Sequence, residues 1–84
     1  MRIKKNIAIS ETGFVFDPTT GDSFSLNAVG LEILQLFRAG NSQEKITEQI
    51  TDKYDVEVSV FEHYYFDFMS MLKHHQILEE NAED

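Results

Sequence analysis

Residues 17–40, "DPTTGDSFSLNAVGLEILQLFRAG", decide the fold, because a turn, a strand and a helix follow one another there without a linker. In "DPTTGD" Pro18 presets the φ of a first turn position, and Gly21 supplies the left-handed position that closes the loop. The next four residues alternate. Phe24 and Leu26 share one face and Ser23 and Ser25 the other, the period of a half-buried strand. Asn27 is then well suited to cap a helix, and Val29, Ile33, Leu34 and Phe37 form an apolar stripe that stops at Gly40. Gly30 inside that helix costs about 1 kcal/mol relative to Ala, so a close helix contact is expected there. The strand itself is short, polar on one side and uncharged, with no obvious pairing partner after it.

Upstream, Ile3, Ile7 and Ile9 alternate on one face, with Lys5 as its one polar member. Phe14 and Phe16 repeat the pattern in "GFVFD", which completes a three-stranded antiparallel meander. Downstream, "NSQE" opens a second helix, with Asn41 and Glu44 at capping-box spacing and a thin stripe of Ile46, Ile50 and Tyr54. "DVEVS" is extended, and Ser59 is expected to cap a third helix with Glu62 completing another box. In that helix, "VFEHYYFDFMSMLKHH", Phe61, Tyr65, Phe68 and Leu72 share one face. Tyr64 and Met71 lie on one shoulder with Asp67 beyond them. Met69 lies on the other shoulder, and Phe66 falls nearly opposite Tyr64. So broad an apolar arc has a second surface to cover. The chain is therefore read as α+β: a three-stranded antiparallel sheet followed by three helices, in a winged helix-turn-helix-like order.

Eighty-four residues suit one domain, taken as residues 1–80, with "NAED" at 81–84 as a disordered acidic tail. The absence of Cys removes disulfides, thiolate metal sites and a thiol nucleophile. No apolar run approaches the roughly 20 residues of a membrane span, and no secretory h-region follows the first basic residues. A cytoplasmic protein without a membrane partner is expected. His63, His74 and His75 cannot converge on one metal from a single helix, and read as solvated or groove-lining. The four glycines are scattered, with no phosphate loop, and no Ser sits in a nucleophile elbow. Hence no cofactor, no metal and no catalytic residue is expected.

The net charge of −8 repels nucleic acid, and the third helix offers Glu62, Asp67 and three His against a single Lys73. A winged-helix regulator acting on DNA fits the order of elements but not this chemistry. The third strand would have a free edge unless something covers it. A chain terminus or a second copy could do so, giving a self-associating module that is monomeric or weakly edge-paired. An extended peptide could also add a fourth strand there, its side chains entering a groove against the third helix.

The run from Phe14 to Val56, "FVFDPTTGDSFSLNAVGLEILQLFRAGNSQEKITEQITDKYDV", followed by "FMSMLKHHQILEE", resembles the PqqD-like family of peptide chaperones. These are recognition elements for ribosomally made, post-translationally modified peptides. The most specific parts are "SLNAVGLEIL", the G-x-S at Gly40–Ser42, and the ending from Leu72 to Leu78. The resemblance implies a winged helix-turn-helix-like domain without enzymatic activity. Such a domain binds the leader of a precursor peptide and presents it to a modifying enzyme, often a radical-SAM protein. It further implies that the leader adds as a strand along Ser23, Phe24, Ser25 and Leu26, meeting Tyr64, Asp67, Phe68 and Met71 of the third helix. Tyr64 stands where relatives often have an acidic residue, and Gln76 where Gly is usual.

Overall fold

The computed structural model describes residues 1–80; the expected tail at 81–84 lies outside them. The order is β1 (Arg2–Ile3), β2 (Ala8–Ile9), β3 (Phe14–Phe16), β4 (Ser23–Ser25), α1 (Ala28–Arg38), α2 (Gln43–Tyr54), α3 (Val58–His74) and β5 (Leu78–Glu79). An antiparallel sheet of order β2-β3-β4 forms the expected meander, and its third strand is β4. The first strand, however, is not continuous from Ile3 to Ile9. β1 pairs with β5 as a second, two-stranded sheet, extended by the Lys4 amide donating to the Ile77 carbonyl at 2.9 Å. A turn closed by the Ile7 amide donating to the Lys4 carbonyl at 3.2 Å separates the two sheets while keeping Ile3 and Ile7 buried. Their inward periodicity was legible, but the long-range pairing with the chain's end was not.

The β3–β4 loop forms as its residues dictate. The buried Asp17 carboxylate accepts from the Thr19 amide at 2.9 Å, the Gly21 amide donates to the Asp17 carbonyl, and Gly21 takes φ 81°. This loop sets the register Phe14↔Ser25, Val15↔Phe24, Phe16↔Ser23. Because Phe24 faces the core, its partner Val15 must do so too, and Val15 is fully buried. The expected inward pair, Phe14 and Phe16, is therefore on the outer face. Three consecutive apolar residues in "FVF" left that choice to the register.

Asn27 caps α1 as expected, its Oδ1 accepting from the Gly30 amide at 2.8 Å. The other two caps differ by small shifts. Ser42, not Asn41, caps α2 by accepting from the Lys45 amide, while Asn41 donates back to the Leu36 carbonyl at 2.9 Å. The third helix begins before Ser59, with Glu57 in the cap position and no side-chain capping bond. Asp55 in the left-handed region (φ 53°) ends α2 early enough for the chain to turn directly into α3. Phe61, Tyr65, Phe68 and Leu72 form the buried face of α3, packed with Ile33, Leu34, Ile46 and Ile50 of the other helices. Burial pushes the Tyr65 phenol above its ordinary range.

Candidate functional site

β4 is the outer strand of its sheet, and among the described residues no strand pairs with its far side. The Leu26 amide donates to the Gly13 carbonyl at 2.8 Å, and the Asp17 amide donates to the Asp22 carbonyl at 2.9 Å. Antiparallel ladders alternate, so these two bonds fix the parity of every residue between them. Phe24 turns its amide and carbonyl toward β3. Ser23 and Ser25 turn theirs outward, along the free edge. Gly13 secures this arrangement: at φ 95°, a Cβ there would lie 2.6 Å from the Leu26 carbonyl oxygen.

α3 runs beside β4 in the opposite direction. At one end Tyr64 approaches Asn27, with 3.5 Å between its hydroxyl and Asn27 Oδ1, and its ring stacks on Phe68. In the middle Phe68 reaches Gly30, where a Cβ would stand 3.2 Å from Phe68 Cε1 and 3.5 Å from Leu26 Cβ. This is the close helix contact expected of Gly30. At the far end Phe24 stacks on His75, with ring centroids 4.9 Å apart. The trough between strand and helix is thus floored by Phe24, Leu26 and Phe68, with Met71 half-buried along it. Tyr64 and His75, the cap of α3, are eleven positions apart, a length of about 16 Å, which matches about five residues of extended chain.

The residues expected from sequence therefore divide. Tyr64 stacks on Phe68, Phe68 and Leu26 both reach Gly30, Phe24 stacks on His75 at the other end, and Ser23 and Ser25 supply the backbone edge. Met71 packs against the core beside them, while Asp67 is exposed, with no side-chain hydrogen bond or ion pair among the described residues. His75, read as groove-lining only in general terms, closes one end of the trough; His74 stands edge-on to it at 5.5 Å. A group that sequence reasoning missed lies beyond the Tyr64 end. There a mostly apolar cleft of about 290 Å³ opens between the helices, lined by Val29, Tyr54, Val56, Val60 and Tyr64. These residues come from three helices and the α2–α3 link, and although Val56, Val60 and Tyr64 recur every four residues, nothing local announces that Val29 and Tyr54 join them. A larger depression of about 1110 Å³ between α2 and the start of α3 is wide open and walled by Glu44, Glu48, Asp52, Glu57 and Glu62. It is a solvated acidic surface away from the free strand.

No group of His, Asp or Glu suited to hold a metal ion occurs among the described residues. No described helix is long and apolar enough to cross a membrane.

Comparison with known proteins agrees with this geometry. The profile of the family "Coenzyme PQQ synthesis protein D (PqqD)" matches residues 13–78, from the glycine that anchors β4 to the start of β5. A solved structure described as TbiB1 in complex with the TbiA(beta) leader peptide is similar over its whole length. The TM-score is 0.85 and the identity 29%, covering 98% of this chain and 99% of that one. No curated protein matches the sequence.

Proposed function

The chain belongs to the family of coenzyme PQQ synthesis protein D, and on that premise we propose that it is a non-catalytic adaptor that captures the leader of a ribosomally made precursor peptide by strand addition. The observation that carries this reading is the free edge of β4, with the backbone groups of Ser23 and Ser25 facing outward beside an apolar trough. A leader strand bonds to those groups, and its alternate side chains enter the trough over Phe24, Leu26 and Phe68. Tyr64 and Met71 form the helix wall, and Asp67 stands on the rim as a partner for a basic residue. The cleft beyond Tyr64 receives an apolar side chain where the peptide runs off the strand. The similarity to a structure that contains a leader peptide supports this reading.

Capture of this kind has value only if the peptide is passed on. The adaptor presents the bound leader to a modifying enzyme, for which a radical-SAM protein is the proposed class. The net charge of −8 favours leaders with Lys or Arg flanking the apolar anchors, so affinity should fall as salt is added.

The direct test is an NMR titration of the labelled chain with leader peptides encoded beside its own gene. Amide shifts concentrated on residues 22–27 and along α3 are the expected result. Shifts elsewhere, or none with any of these peptides, would overturn leader capture at this edge.

A further inference from the structure

The outer face of the sheet carries two large aromatic side chains that the proposed trough does not use. Phe14 is 46% exposed and Phe16 38% exposed. Across from them on β4 stand Ser25 and Ser23, whose side chains are exposed and small. The serines leave a shallow slot between the phenylalanine rings and the free edge.

The parity of β4 determines what reaches that slot. In an added strand, the residue opposite Phe24 points into the trough, on the face that Phe24 and Val15 share. The residues opposite Ser23 and Ser25 must point the other way, onto the outer face. They lie two strand spacings from β3, about 10 Å between backbones. A large side chain on the peptide and a phenylalanine on β3 can meet over a serine across that gap, whereas a Ser or Ala on the peptide cannot.

We propose that Phe14 and Phe16 form a second half of the peptide site, and that the chain selects leaders carrying large apolar or aromatic residues at the two positions opposite Ser25 and Ser23. The proposal rests on strand addition at β4 and deepens it. The leader is then recognised as a central strand, gripped on both faces, rather than as an edge strand with one face in water. The slot opens onto the same edge that the peptide occupies, and this continuity singles out the peptide as its occupant. A modifying enzyme or a second copy of the chain would have to approach the same face over the peptide's own side chains.

The test uses two synthetic peptides, Lys-Leu-Tyr-Leu-Tyr-Leu-Lys and Lys-Leu-Ser-Leu-Ser-Leu-Lys, titrated into the full chain by NMR. In the register that places Leu toward the trough they differ only outward. The Tyr peptide should bind about tenfold more tightly, the scale of one or two aromatic contacts. In the double variant Phe14→Ser, Phe16→Ser that preference should shrink to less than about threefold. Both substituted side chains are exposed, and the single variants Phe14→Ser and Phe16→Ser carry the same comparison if the double variant folds poorly. Equal affinities for the two peptides, with shifts at Ser23 and Ser25, would overturn the outer-face site and leave strand addition standing. An undiminished preference in the folded double variant would assign it to the strand propensity of Tyr and also overturn the proposal. Absence of shifts at β4 with either peptide would remove strand addition and this inference with it.

Discussion

Replacing Ser25 by Pro probes the docking edge with little disturbance to the domain. The Ser25 amide points away from β3 and has no partner among the described residues, and the side chain is exposed. The residue before it, Phe24, is already in a strand, the conformation that a following proline favours. The folded chain should therefore lose less than about 1 kcal/mol, the range of ordinary surface substitutions with a modest backbone term. Binding is affected differently. One ladder bond worth about 0.5–1.5 kcal/mol disappears, and the ring occupies the space of the incoming carbonyl at a further cost of similar size. Together these give about 1–3 kcal/mol, or roughly a 5- to 150-fold rise in Kd. Phe24→Pro is the contrasting variant: its amide bonds to β3 and its ring stacks on His75, so it should unfold or loosen the sheet. Calorimetric titration with the leader that shifts β4 reads the first effect, and thermal unfolding the second. A folded Ser25→Pro chain that binds that leader within a factor of two of the unaltered chain would refute the parity assigned to β4.

Three further outcomes follow from the same geometry. Gly13→Ala should destabilise the chain by more than about 2 kcal/mol, since its Cβ would collide with the Leu26 carbonyl at 2.6 Å. Gly21→Ala, with φ 81° but open space around it, should cost only about 1 kcal/mol of backbone strain; chemical denaturation compares them. Gln76 sits at φ 59°, so Gln76→Gly should stabilise by about 0.5–1 kcal/mol and raise Tm by a few degrees. Burial raises the Tyr65 pKa above 10.0, so the folded chain holds that proton longer than the unfolded one. Stability is then full below pH 10 and lost as pH rises through the raised value, and Tyr65→Phe should flatten that alkaline decline in pH-dependent denaturation.

Much of the scaffold is local and was legible in residue types. "DPTTGD" encodes its own turn, Asn27 its own cap, and the spacing of Phe61, Tyr65, Phe68 and Leu72 the buried face of α3. The trough was legible to the extent that its members lie on two periodic elements. Its strand edge is Ser23–Leu26, and its helix wall is one shoulder of α3. Cap positions slipped by one or two residues: Asn41 and Ser42 offer the backbone nearly equivalent oxygens, and α3 starts after Glu57 with no side-chain cap.

What the sequence alone determined is the set of elements, their order and a third strand in need of a partner, because each depends on interactions within a few residues. Tertiary structure decided the rest. It joined β1 to β5 across the chain, turned Phe14 and Phe16 outward through the register of Val15 with Phe24, and seated His75 against Phe24. It also gathered the cleft beyond Tyr64 from three helices. These are long-range choices: a strand's inward face is fixed by which residue its neighbour places opposite, and a pocket by where separate helices come to rest.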